Sequence, residues 1–133
     1  MRRIRQVMLL VSLMVLAAAV TASAIPVGED PAVQVFYFGD GAGVMLWTNL
    51  TGLNTFNCIQ IIFNGPAVVD LNPGKTFVIG GGLLDLNPKN TMKLAANGTV
   101  WRIRWLSPFV TGAMVQVYFS GATVSAVYPA VRP

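Results

Sequence analysis

Histidine is absent from the 133-residue chain, and cysteine occurs once, as Cys58. The first absence excludes an imidazole base, an imidazole metal ligand and any catalytic set built on histidine. The second excludes an intramolecular disulfide, so stability has to come from packing. Charge is scarce as well: 11% of residues are Asp, Glu, Lys or Arg, against 54% that are hydrophobic. That balance excludes a disordered chain, which needs low hydrophobicity and high net charge. Windows long enough for an ordinary helix are scarce beyond residue 24, because all 13 Gly and all 8 Pro fall there, mostly at short intervals, and turn-forming Asn54 and Asn57 interrupt the longest gap.

What is present first is a leader. Arg2, Arg3 and Arg5 precede an apolar run from Val7 to Val20, and Ala22 and Ala24 close it in a small-x-small pattern. These are the three parts of a secretory signal peptide, so residues 1–24 are expected to be removed and residues 25–133 to form one domain. The lesser reading keeps residues 7–25 as a membrane anchor. The destination is then secreted or extracytoplasmic, at the cell surface. Nine basic against five acidic residues give +4 for the whole chain; without the three leader arginines, six against five leave +1. The high isoelectric point is therefore a targeting feature, and nucleic acid is not expected as a partner.

Between the Gly and Pro breaks lie short runs rich in Val, Ile, Phe, Tyr, Trp and Thr. Strands are expected near 32–38, 44–48, 55–63, 67–71, 75–79, 83–86, 91–96, 99–106, 113–119 and 122–127. Regular short strands predict an all-β antiparallel sandwich or barrel, read first as a β-sandwich, immunoglobulin-like or jelly-roll-like. Cys58 falls inside one such run and reads as a small buried hydrophobe. Asn97-Gly98 between two alternating runs predicts a two-residue hairpin, pairing Leu94 with Trp101 and Met92 with Ile103. Met92, Leu94, Trp101, Ile103 and Trp105 would then face the core, with Lys93 and Arg102 directly opposite each other as a like-charged pair on the other face, beside Arg104.

Two internal echoes stand out. Val68-Val69-Asp70-Leu71-Asn72-Pro73 returns fifteen residues later as Leu83-Leu84-Asp85-Leu86-Asn87-Pro88, each followed by a threonine, Thr76 or Thr91. Val33-Gln34-Val35-Phe36-Tyr37 is echoed by Val115-Gln116-Val117-Tyr118-Phe119. The first reads as one strand-turn-strand solution used twice, with Asp and Asn capping the turns. A calcium shell would need more oxygen ligands than Asp70, Asn72, Asp85 and Asn87 supply. The second reads as two strands in similar sheet environments.

Chemistry is harder to find. Gly74-Lys75-Thr76 lacks the earlier glycine and the following helix of a phosphate loop. No serine sits in a recognisable elbow, and no spacing fixes a catalytic carboxylate pair. No catalytic residue, cofactor or metal is expected, and the chain reads as a non-enzyme. Two functions remain. The first is a structural or interaction protein that assembles with itself or another surface protein by strand addition, through Val33, Val35, Phe36, Tyr37 and Phe38. The alternative is an extracellular binding module for a glycan or other anionic polymer, through Lys93, Arg102, Arg104 and Trp47, although Trp47 reads first as a core residue and joins this face only where it is exposed. Two sequons, at Asn49 and Asn97, fall in expected turns and read as accessible acceptors where the host glycosylates exported proteins.

Overall fold

Residues 25–133 are described by a computed structural model. The expected leader and its cleavage site at 1–24 lie outside the described residues. Val33, Val35 and Tyr37 alternate with Gln34 and Phe36, and this period of two forms β1 (Val33–Tyr37). The same alternation builds β2 (Ala42–Thr48), β3 (Cys58–Phe63), β7 (Val100–Arg104), β8 (Met114–Ser120) and β9 (Val124–Ala130). Shorter pieces are β4 (Val68–Asp70), β5 (Phe77–Val78) and β6 (Met92–Lys93). The expected strand at 83–86 is reduced to a bridge between Leu84 and Trp105. Among the described residues the only helical segment is a 3-10 turn at Val27–Glu29.

The strands form two antiparallel sheets. The first runs β1-β2-β8-β4, with β5 also on β8; the second runs β6-β7-β3-β9. Met45, Trp47, Val115, Val117 and Phe119 of the first sheet share one core with Ile59, Ile61, Phe63, Trp101 and Ile103 of the second. The arrangement is sandwich-like and all-β, as the strand pattern predicts. Phe109, from the β7–β8 connection, joins the two layers: its ring lies 5.7 Å from that of Trp47 and 5.5 Å from that of Trp105. Each such aromatic pair contributes about 0.5–1.5 kcal/mol beyond the area it buries. Just outside this cluster, Asn49 is fully buried, and its Nδ2 donates to the carbonyls of Leu53, Phe109 and Val110 at 2.9–3.2 Å. The Asn49 sequon is therefore a structural anchor, not the accessible acceptor its turn context predicts.

Both echoes acquire a structural meaning. β1 and β8 flank β2, and Met45 pairs with Val35 on one side and Val117 on the other. The matched residues Gln34 and Gln116 likewise meet Leu46 from opposite sides. In the fifteen-residue repeat, Asp70 and Asp85 each accept the N–H of the Asn two residues on, at 3.0 and 2.9 Å. The N–H groups of Thr76 and Thr91 then donate to the carbonyls of Asn72 and Asn87. Their buried hydroxyls accept one strand N–H each, from Tyr118 of β8 and from Arg104 of β7. One motif thus interrupts an edge of each sheet and pins the interruption to the strand beside it.

The 91–105 hairpin departs from expectation. Met92 pairs with Arg102 and Lys93 with Trp101, one residue away from the register a two-residue Asn-Gly turn gives. Gly98 N–H donates to the Ala95 carbonyl, so the turn is Ala95-Ala96-Asn97-Gly98 with glycine in its last place. Its tip is docked: Gly98 accepts the Ala67 N–H, and Trp101 Nε1 donates to the Ala67 carbonyl at 3.1 Å. A one-residue slip exchanges faces on the shorter strand. Met92 and Leu94 are exposed in consequence, whereas Trp101, Ile103 and Trp105 are buried as expected.

Gly98 has φ +84°, and a Cβ there would collide with the Ala67 carbonyl oxygen; Gly52 has φ +77° with open space around it. Gly52→Ala is expected to cost about 1–2 kcal/mol, the ordinary penalty of left-handed backbone. Gly98→Ala should cost distinctly more. Urea unfolding of both variants checks this, and equal losses would show that the hairpin tip is not seated on Ala67.

Candidate functional site

The basic residues named from the sequence do not converge. Arg102 and Arg104 project from the outer face of the second sheet, beside Gln60 and Cys58 of β3. Lys93 is paired with Trp101 and so belongs to the other face, its Nζ 6.0 Å from the Trp101 ring centroid. Trp47 is 2% exposed, in the core between the sheets. The like-charged pair expected of Lys93 and Arg102 does not exist, because the register slip separates them. For Trp47 the core reading holds and the exposed one, which the binding face needed, is overturned: its place in β2 turns the ring inward, against Phe109.

The two arginines are held by partners remote in sequence. Arg104 Nη1 donates to Asp85 Oδ2 at 2.6 Å, and its Nε donates to the Arg132 carbonyl at 3.0 Å. Arg102 donates to the carbonyls of Asn90 and Lys89 at 2.8 and 2.7 Å. Arg132 is itself fixed, since Asn57 Oδ1 accepts its N–H and Asn57 Nδ2 donates to its carbonyl, both at 2.8 Å. The 85–91 turn and the chain end are thereby strapped across the second sheet. Beneath the strap Cys58 is fully buried, and that burial pushes its thiol up to about 11. The N–H of Asn87 chiefly holds the Asp85 carboxyl below its ordinary value; burial opposes this, while Arg104 and Asn90 reinforce it. Burial, with Arg132 nearby, lowers the Arg102 guanidinium. Asp85 was legible from the repeat as a turn former, whereas Arg132 carries no pattern that marks it as a partner.

The strand 33–38 presents a different surface. β1 is the edge of its sheet. Phe38 N–H donates to the Ala42 carbonyl and Thr48 N–H to that of Ala32. Both bonds belong to the register that pairs β1 with β2, so Ala32, Gln34, Phe36 and Phe38 direct their backbone groups to β2. Alternation then turns the backbone groups of Val33, Val35 and Tyr37 to the open side. Of these, Val33 N–H is occupied by the Asp30 carbonyl at 3.2 Å. Phe36, Tyr37 and Phe38 are 52%, 51% and 45% exposed. Phe36 stands on the outer face in a row with Val44 of β2 and Tyr118 of β8. Tyr37 takes the opposite side, edge-on to Phe119 at 6.0 Å, and its hydroxyl accepts the Val124 N–H.

A shallow depression beside this strand is lined by Tyr37, Phe38, Asp40, Ala42, Ser120 and Thr123, and offers one carboxylate. Among the described residues, no three His, Cys, Asp or Glu side chains are grouped to hold a metal ion. No family model, curated protein or solved structure matches the chain.

Two outcomes follow from the strap. The folded-state pKa of Asp85 is lowered, so its contribution to stability is present above the ordinary carboxylate range and is lost as pH falls through the folded value. Urea midpoints measured from about pH 6 down to about pH 2 should fall more steeply for the native chain than for Asp85→Asn; parallel profiles would contradict the assignment. Cys58 should resist a thiol-specific reagent in the native state and react fully in denaturant. Rapid native labelling would show the strap to be open.

Proposed function

We propose that residues 25–133 are an exported, non-enzymatic β-sandwich, immunoglobulin-like or jelly-roll-like, that assembles at the cell surface by strand addition at β1. The partner is another copy or another surface protein bearing a compatible strand. The open edge of β1 carries the reading: unpaired backbone groups at Val35 and Tyr37 lie beside exposed Phe36 and Phe38. An edge strand of this kind is a template for a further strand unless Lys, Pro or a bulge blunts it. Residues 33–38 contain neither Lys nor Pro, and the β1–β2 register is unbroken. Export is supported by Arg2, Arg3, Arg5 and the Ala22-x-Ala24 terminus of the apolar run.

A second reading, binding of a glycan or other anionic polymer at Arg102, draws support from Arg132, whose positive charge adjoins it. It stands behind the first because Arg104 is already neutralised by Asp85, and because Lys93 and Trp47 lie elsewhere.

Size-exclusion chromatography with light scattering, run as a concentration series on the chain recovered from a secreting host, tests the assembly reading. The native chain should exceed monomer mass. Phe36→Lys, an exposed substitution on the edge, should shift it toward monomer with an unchanged near-UV spectrum. A strict monomer across the series would overturn self-assembly and leave only a different surface protein as the partner of β1.

A further inference from the structure

A protein of two open sheets has four edge strands, and in this one three are obstructed. On the first sheet, the edge opposite β1 is broken between β4 and β5 by the turn at 71–76, pinned by Thr76. On the second sheet, the Leu84 bridge and β6 are separated by the matching turn at 85–91, pinned by Thr91. The fourth strand, β9, is bridged at Ala126 by Pro26 of the leading segment, and its Pro129 has no N–H to offer. Among the described edge strands, β1 alone is continuous, and beyond Val33, whose N–H is taken by Asp30, its open side is free at Val35 and Tyr37. A chain with one usable edge can satisfy it with a second copy in a single way, by pairing the same strand across a two-fold axis.

We infer that the partner of β1 is β1 of a second copy, running antiparallel to it about a two-fold axis at Phe36. This rests on the assembly reading above and names its partner and register. The free groups select the register. Val35 and Tyr37 face the open side with both backbone groups available, while Val33 has already given its N–H to Asp30. Pairing Val35 with Tyr37 of the other copy, twice by symmetry, uses all four free N–H groups of the two strands. An axis at Val35 would instead pair Tyr37 with Val33, whose donor is taken.

With the axis at Phe36, the two Phe36 side chains meet directly at a non-hydrogen-bonded site, where opposed side chains approach most closely. Gln34 lies opposite Phe38 of the other copy. The row Phe36, Val44, Tyr118 then continues unbroken from one copy into the next. No charged side chain lies between Val33 and Phe38 to oppose the contact. At each end of the paired strands Asp40 of one copy is brought toward Asp30 of the other, so added salt should tighten the association. Because the contact is made by the same patch on both chains, it closes as a dimer and does not propagate.

Disulfide mapping tests the register. Opposed residues at such a site have Cα atoms about 4.5 Å apart, within reach of a disulfide, and buried Cys58 stays silent in the native protein. Phe36→Cys should cross-link to itself under mild oxidation. A mixture of Gln34→Cys and Phe38→Cys chains, which keeps Phe36 in place, should cross-link while neither variant does so alone. Light scattering should give a dimer whose dissociation is reduced by added salt. A dimer that instead cross-links Gln34→Cys to Phe36→Cys would overturn the register and leave strand addition at β1 standing. Open polymers would overturn the closed two-fold arrangement alone. A monomer that forms none of these bonds would overturn both.

Discussion

Every strand at the border of a sheet exposes a line of backbone donors and acceptors, and something must be done with them. With two open sheets and no disulfide to lock its layers, this chain meets that constraint four times. Its duplicated Asp-Leu-Asn-Pro segment interrupts one edge of each sheet, and a buried threonine hydroxyl returns the turn to the strand alongside. Prolines at 26 and 129 deal with β9. What is left is β1, with its aromatic side chains in solvent.

The polar groups that are buried serve the same economy of connections. Asn49 gathers three carbonyls from two loops at the end of the core, next to the Trp47–Phe109–Trp105 cluster. Asp85, Arg104, Asn57 and Arg132 tie the chain end to the 85–91 turn over Cys58. A buried carboxylate or guanidinium left alone would be costly, and each here is met by hydrogen bonds from several directions. That is why arginines that stand out as a basic face in the sequence serve in the fold as fasteners. On the proposed assembly reading, the functional weight passes from the charged face to the neutral edge, because strand addition needs hydrogen-bonding groups and flat apolar surface more than charge.

Much of this was legible in the residues. Alternation placed Trp101, Ile103 and Trp105 inside, the dispersed Gly and Pro predicted short antiparallel strands, and the two echoes marked strands and turns that the structure uses in matched roles. The hairpin register was not legible, because Asn97-Gly98 serves both a two-residue turn and a longer one with glycine last. The choice is made by Ala67, 34 residues before Trp101 in sequence, which receives Gly98 and the Trp101 indole. The fate of Arg104 was hidden for the same reason, since it depends on Asp85 and Arg132; burial of Trp47 was the leading reading, but its partner Phe109 was not marked.

The sequence by itself determined that this is an all-β chain, how its strands alternate, and which turns repeat. These follow from φ preferences, side-chain period and hydrogen bonds between near neighbours, all of which act over a few residues. Only the tertiary structure decided which edges are closed, which face each short strand presents, and which charges are already spent. Those depend on what arrives from the far end of the chain: Pro26 at Ala126, Arg132 at Asn57 and Arg104, Ala67 at Gly98.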